Sequence, residues 1–281
     1  MDEILVSVAC IAYNHEKYIA EAIESFLMQQ ADFNFEIIIH DDASTDATAD
    51  IIRDYAGKHP GIIVPILQVE NQYSKGVNIL QSVVSGARGK YAAICEGDDF
   101  WTSRDKLRKQ AAYMEGHPEC GMCFHSSEIV GGKGPAMIRP YSESCVSPTE
   151  DIIVGGGGFM ATNSIMYRKD IMEDPPEFYM SSPIKDFPLQ IFTSTKQYAY
   201  YIDEVMSAYR VGAEGSWTSR MNAASDRTEK MIRHIKKINA MLKGFDEYSG
   251  GKYSTSVKRK IMDNNLEIIK MKLLRMNGRI K

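Results

Sequence analysis

Apolar positions in the first hundred residues alternate between two periods. Leu5 to Ala12 is a β-rich apolar run as long as one buried strand. After Tyr13-Asn14, the residues Ile19, Ile23, Phe26 and Leu27 recur at helical spacing. Phe35 to His40 predicts a second buried strand, ending in Asp41-Asp42. Ser44, Thr45 and Asp46 then offer N-caps for a helix with Ala47, Ile51 and Tyr55 on one side. Pro60-Gly61 breaks that helix, and Ile62 to Val69 predicts a third strand. Val77, Leu80, Val84 and Ala87 mark the next helix, and Tyr91 to Cys95 a fourth strand that ends in Glu96-Gly97-Asp98-Asp99. Strands separated by helices of this length imply βαβ units and an α/β fold with a mostly parallel central sheet flanked by helices. Ligands of such sheets gather beyond the carboxyl ends of the strands. Those ends carry Tyr13-Asn14, Asp41-Asp42 and Glu96 to Asp99, so three segments remote in sequence are expected on one rim.

The middle of the chain is less regular. Asp105 to Glu115 predicts a helix, Gly121 to Val130 a strand and Gly131 to Pro135 a turn. Gly155 to Gly158 predicts a mobile loop inside the domain, ahead of the apolar segment Phe159 to Tyr167. Leu189 to Thr193 and Tyr198 to Ile202 resume regular structure. From residue 221 the pattern changes. Met231, Ile235, Ile238 and Leu242 form a helical stripe ended by Gly244, and Met262, Leu266, Ile269, Leu273 and Met276 form another. Lys258, Arg259, Lys260, Lys270, Lys272, Arg275 and Arg279 accompany the second. The expected organisation is a catalytic α/β domain over residues 1–220 and a basic amphipathic helical extension over 221–281. That extension can pack on the domain, form a dimer seam or lie on an anionic membrane, and the three readings stay open.

Composition narrows the function classes. The 281 residues are 44% hydrophobic and 25% charged, ordinary for a globular domain. A net charge of -4 argues against nucleic acid as a general partner. Met1-Asp2-Glu3 lacks a cationic leader and no apolar run is long enough to cross a bilayer, so the expected location is the cytoplasm, with the inner face of the membrane as the place a lipid-binding extension would reach. The odd count of 5 cysteines suggests reduced thiols. Cys120-Gly121-Met122-Cys123 has CxxC spacing but no second pair, and reads better as the start of a buried strand than as a zinc or redox site.

The acidic segments carry the chemistry. The carboxylates of Glu96, Asp98 and Asp99 repel one another unless solvent, a basic group or a cation compensates, and a hard ion such as Mg²⁺ or Mn²⁺ suits the end of a buried strand. Asp41-Asp42 exceeds what capping needs and can accept hydrogen bonds from a base or ribose. No GxGxxG follows the first strand, which argues against a dinucleotide oxidoreductase. A Gly-rich phosphate loop is also missing there, which counts against a sugar nucleotidyltransferase. Gly86 to Lys90 is too short for a P-loop, and Tyr91 stands where Ser or Thr is required.

Taken in order, Val8-Ala9-Cys10-Ile11-Ala12-Tyr13-Asn14, Ile39-His40-Asp41-Asp42-Ala43-Ser44-Thr45-Asp46, Gly86-Ala87-Arg88-Gly89-Lys90-Tyr91 and Glu96-Gly97-Asp98-Asp99-Phe100-Trp101 resemble the family 2 glycosyltransferases, which have the GT-A fold. The resemblance implies an inverting transfer of sugar from a nucleotide-sugar donor, most often UDP-linked, to a hydroxyl of a glycan or lipid-linked acceptor, in cell-surface polysaccharide synthesis. By the same resemblance, Ala12, Tyr13, Asn14 and Asp41 or Asp42 hold the nucleotide. Asp98 and Asp99 then hold a divalent metal and the donor diphosphate, together with Glu96, which stands where the family usually has Asp. Asp186 in Ile184-Lys185-Asp186-Phe187 matches the general base, with Lys185 where an acidic neighbour is usual. Tyr209-Arg210-Val211 and the loop through Ser216 and Trp217 resemble the donor-side loop, with Gly212 and Ala213 where His is frequent. Arg210 and Lys75 can each contact a donor phosphate or form a surface ion pair, and both readings stay open. The non-enzymatic alternative is a silent glycan-binding or scaffolding relative.

Overall fold

The computed structural model describes residues 3–182, 184–216, 219, 221 and 226–276. The first apolar run forms β1 (Ile4–Ala12), and the later ones form β2 (Asn34–Asp41), β3 (Ile63–Leu67) and β4 (Tyr91–Ile94). These four pair in parallel in the order β3-β2-β1-β4. The strand period of two gives β1 two buried faces. Val6, Val8 and Cys10 share one core with residues of α1 (Ile19–Leu27), α2 (Thr48–Lys58) and α4 (Lys106–Gly116), while Ala9 belongs to a second core with residues of α3 (Ile79–Ser85), α5 (Thr149–Gly155) and α7 (Asp186–Lys196). Burial on both faces is why this strand reads as one apolar run.

Beyond β4 the sheet continues through β9 (Met166–Arg168), β6 (Cys120–Val130), β10 (Tyr198–Arg210) and β5 (Phe100–Trp101). β9 is antiparallel to both β4 and β6, whereas β6 and β10 pair in parallel over most of their length. Two short strands, β7 (Ala136–Ile138) on β6 and β8 (Cys145–Ser147) on β10, add antiparallel edges. The sheet is thus mixed, with its long pairings parallel. α6 (Glu177–Met180), α8 (Arg227–Tyr248) and α9 (Ser254–Met276) complete the helices used below. No helix among the described residues is long and apolar enough to cross a membrane.

Two glycine positions depart from the sequence expectation for physical reasons, and two further segments resolve into defined elements. Gly155 to Gly158 closes α5 and makes a 3₁₀ turn over Gly156–Gly158 instead of a loop. Gly156 has φ +71°, and a Cβ there would lie 2.5 Å from Lys260 Nζ of α9. In the apolar segment after it, only Met166 and Tyr167 join a strand, because a 3₁₀ turn over Thr162–Ser164 intervenes. Leu189 to Thr193 belongs to α7. α8 runs through Gly244 to Tyr248; a Cβ on Gly244 would come within 3.2 Å of Phe178 Cβ, so the glycine serves helix contact and not termination. Leu242 and Phe245 of α8, with Tyr253 and Val257, share one core with Leu80, Ile94 and Phe192.

A buried polar knot holds β4 against its neighbours. Glu36, 2% exposed, accepts from Ser7 Oγ at 2.6 Å, Arg88 N at 2.8 Å and Arg88 Nε at 2.7 Å. Gly89 N donates to Ser7 Oγ at 2.9 Å, and a Cβ on Gly89 would be 2.5 Å from Ser7 N. Burial works to raise the Glu36 carboxyl, but the hydrogen bonds from Ser7 and Arg88 outweigh it and hold the group below its usual range. A depressed carboxyl stabilises the fold above its unfolded pKa, about 4.3, and loses that contribution as pH falls through the lower folded value. In urea titrations, wild type is therefore expected to exceed Glu36→Gln in stability at pH 7, with the gap closing below about pH 4. A gap independent of pH would contradict the assignment.

Candidate active site

Three loops at the carboxyl ends of β1, β2 and β4 are tied into one rim. Asp42 N donates to Ala12 O at 2.9 Å, and Gly97 N to Ile11 O at 2.9 Å. Asn14 N donates to Ser44 Oγ at 2.8 Å, Ser44 Oγ donates in turn to Asp41, and Asn14 Oδ1 accepts from Thr45 N at 2.8 Å. Asn14 and Ala43 hold left-handed backbone, φ +56° and +60°. Asparagine tolerates that conformation; alanine pays roughly 1–2 kcal/mol, which the bonds on either side of Ala43 must offset. Gly97 is needed for close approach, since a Cβ would lie 2.9 Å from Ile19 Cδ1 and 3.0 Å from His15 Nδ1.

The expected nucleotide contacts divide by availability. Both Asp42 oxygens are occupied, accepting from Gln72 N at 2.7 Å and Tyr73 N at 3.1 Å. Asp41 also accepts from Ser44 N at 3.0 Å. These two aspartates shape the rim, and both are almost fully buried. Tyr13 is half-buried beside Asn14, under the loop where Gly215 approaches Tyr13 O and Asn14 O. Lys75 lies on the 3₁₀ turn Tyr73–Lys75 that Asp42 holds, and its ammonium pairs with Glu70. Trp217 lies outside the described residues.

The acidic turn shows a division of labour. Asp99 accepts from Asn163 Nδ2 at 2.9 Å and from Arg210 N at 2.8 Å, so it anchors the end of β10. Burial first, and the adjacent Asp98 second, raise its carboxyl to about 8 despite those bonds. The Asp98 carboxylate has His15 Nε2 at 3.9 Å and accepts no hydrogen bond from the described residues. Glu96 is reachable by solvent in the cleft, yet protein crowds its carboxyl. That desolvation, with the charges of Asp98, Asp99 and Asp186, holds it well above the ordinary range. The Arg210 guanidinium donates to Asp98 O at 2.9 Å and Glu21 Oε2 at 2.5 Å, and lies 5.0 Å from the centre of the Tyr18 ring.

Asp186 is the first residue of α7. It faces Glu96 closely enough for its charge to act there, and it also interacts with the His234 ring of α8. A Cβ on Gly157 would be 3.9 Å from its Oδ2, so the glycine run forms the adjoining wall. Burial raises the Asp186 carboxyl, while the amides of the first turn of α7 and the charge of His234 oppose the rise. Asn163, His15 and His234 went unread in the sequence. His15 follows Tyr13-Asn14 directly and was in view; Asn163 and His234 meet their partners only through the fold.

Comparison with known proteins settles the lineage. The model of glycosyl transferase family 2 matches residues 7–174, more than half of the chain. The chain belongs to that family. A protein of Mycobacterium tuberculosis with no assigned activity is 38% identical over 218 residues, covering 76% of this chain and 61% of its own length. This family 2 chain therefore spans about three fifths of the mycobacterial relatives it matches. The putative teichuronic acid biosynthesis glycosyltransferase TuaG of Bacillus subtilis is 36% identical over 250 residues, 84% of this chain and 90% of TuaG. Among solved structures, S. aureus TarS in complex with UDP-GlcNAc aligns with a TM-score of 0.61 at 19% identity, covering 99% of this chain and 84% of that one. The mannosyltransferase PcManGT of Pyrobaculum calidifontis, in complex with GDP-Man and Mn²⁺, aligns with a TM-score of 0.65 at 16% identity, covering 96% and 74%. At these identities the likeness is one of fold, the GT-A type with added C-terminal helices.

Within this family 2 chain, the two aspartates of the acidic turn are expected to respond differently to removal. Asp99→Ala leaves Asn163 and the Arg210 amide without their acceptor and should lower stability by about 2–4 kcal/mol. Asp98→Ala removes an unbonded carboxylate and relieves repulsion, so stability should change by less than about 1 kcal/mol. Differential scanning calorimetry of both variants checks the contrast; equal losses would refute it.

Proposed function

We propose that this chain is an inverting glycosyltransferase that moves a sugar from a UDP-linked donor to a hydroxyl of a glycan or lipid-linked acceptor in cell-surface polysaccharide synthesis. The observation that carries the reading is that Asp186 and the acidic turn of Asp98 and Asp99 all lie close enough to Glu96 for their charges to act on it. The name of TuaG supports the polysaccharide setting, and the UDP-GlcNAc complex of TarS supports the donor class.

Among the described residues, no three His, Cys, Asp or Glu side chains gather to hold a metal ion by themselves. Asp98 nevertheless fits a cation shared with the donor, because Mg²⁺ and Mn²⁺ are commonly held by one or two carboxylates and completed by substrate phosphates. Asp98 would hold it, with Glu96 beside it and Asp99 through a remaining lone pair; when bound, such an ion neutralises charge growing on the departing diphosphate. The Mn²⁺ complex of PcManGT supports this assignment.

Asp186 would accept the proton of the acceptor hydroxyl while that oxygen's electron pair forms the bond to the anomeric carbon. The bond from that carbon to the donor phosphate oxygen breaks, and its pair leaves with the nucleoside diphosphate. Attack opposite the leaving group inverts the anomeric centre. Tyr13 and Asn14 border the nucleotide mouth, with Ala12 fixing the turn through its carbonyl. Asp41 and Asp42 hold the rim's shape, and Lys75 and Arg210 are cations available to the phosphates on release from Glu70 and Glu21.

The base works only when ionised, so activity should rise as pH rises through the Asp186 pKa. Because that pKa is raised, the acid limb of kcat/KM should lie above the ordinary aspartate value of about 3.9. Asp186→Asn should lower kcat by a factor on the order of 10³ while calorimetric UDP affinity with Mn²⁺ changes by less than about threefold. Near-normal turnover in that variant would exclude Asp186 as the base. Absence of any transfer or hydrolysis by wild type across a panel of UDP- and GDP-sugars would favour a silent relative.

A further inference from the structure

α9 is amphipathic on two sides. Its inner side carries Val257 and Ile268, 2% and 7% exposed, and packs toward α5 and α8. On its outer side Met262, Leu266, Ile269 and Leu273 are each more than half exposed. Positions spaced four, three and four residues apart fall within an arc of about 60° on a helix of 3.6 residues per turn. Four large apolar side chains thus form one continuous ridge facing away from the fold.

Charge says what covers the ridge. Exposed Lys258 and Lys272 border it on one side, and exposed Arg259 and Lys270 on the other. The acids Asp263 and Glu267 lie farther around the helix, behind Lys270, and Glu267 Oε2 is 3.7 Å from Lys270 Nζ. A shallow groove of about 490 Å³ between α8 and α9 continues the apolar surface and brings Lys243 to it. Its one acid, Asp246, accepts from Ser254 Oγ at 2.7 Å. A second copy fits poorly. Arg259 stands at the edge of the ridge one turn before Met262, where continuing the three-four spacing of a helix seam wants an apolar residue. A two-fold antiparallel pairing would also set the acid-free flank of Lys258, Asn265 and Lys272 against itself.

We propose that the outer face of α9 docks on an anionic bilayer surface, its ridge entering the headgroup boundary and its lysines and arginines meeting lipid phosphates. Apolar area with flanking cations is the combination that holds a helix in that plane. The inner face of the same helix touches the site wall, since Lys260 Nζ donates to Gly155 O at 3.4 Å, two residues before the glycine beside Asp186. Docking therefore sets the Asp186 side of the cleft about one helix diameter, roughly 10 Å, from the lipid surface.

The test is co-sedimentation of the full chain with vesicles of phosphatidylcholine alone and of phosphatidylcholine mixed with phosphatidylglycerol, and it needs no catalytic activity. Wild type should bind the mixed vesicles, and binding should weaken about tenfold or more on neutral vesicles, at high salt, in Leu266→Ser/Ile269→Ser and in Lys258→Ser/Lys272→Ser. All four positions are exposed, and unchanged melting of the variants confirms that the fold is kept. Two results would overturn the proposal: equal sedimentation of wild type and both variants, or a dimer in light scattering that dissociates in Leu266→Ser/Ile269→Ser without vesicle binding.

Discussion

Mutual repulsion among carboxylates gathered at the ends of parallel strands governs the architecture of this rim. Asp41, Asp42, Asp98, Asp99, Glu96 and Asp186 all reach it or its wall. Their charges are tolerable because half of them are held by donors within the protein. Asp41 has Ser44, Asp42 has two backbone amides, and Asp99 has Asn163 and the Arg210 amide. No hydrogen bond from the described residues reaches the carboxylates of Glu96 and Asp98, and Asp186 is met by amides at the start of α7. Burial raises the carboxyls of Glu96, Asp99 and Asp186 alike, Asp99 despite its donors.

Arg210 links the two halves. Its amide serves Asp99, its guanidinium serves the Asp98 carbonyl and Glu21, and its plane lies over Tyr18 and Phe100. The end of β10 is thereby fastened to the acidic turn and to α1. The ion pair with Glu21 fixes the direction of the guanidinium from the α1 side.

How much of this was legible in the sequence depends on whether the signal was local. The βαβ half was legible because β1, β2 and β4 are buried on both faces and so appear as unbroken apolar runs. The short strands β5, β7 and β8 were not, since two or three residues carry no period. Gly244 misled because a glycine chosen for contact with Phe178 has the same letter as one chosen to end a helix. At the site, the acidic segments were legible as types. That Asp42 is taken by Gln72 and Tyr73, and Asp99 by Asn163, depends on partners 30 to 64 residues away, which spacing cannot reveal.

The shared core of the terminal helices also sets how the chain can be divided. Leu242, Phe245, Tyr253 and Val257 lie in the same apolar cluster as Leu80 and Ile94, which lie beside the central strands. A cut at Gly250-Gly251 would not release a free tail; it would uncover α5 and the side of α8 on which α9 packs. α8 and α9 are thus built into the body of the fold, and the side of α9 that packs inward and its exposed apolar ridge are opposite faces of one rod.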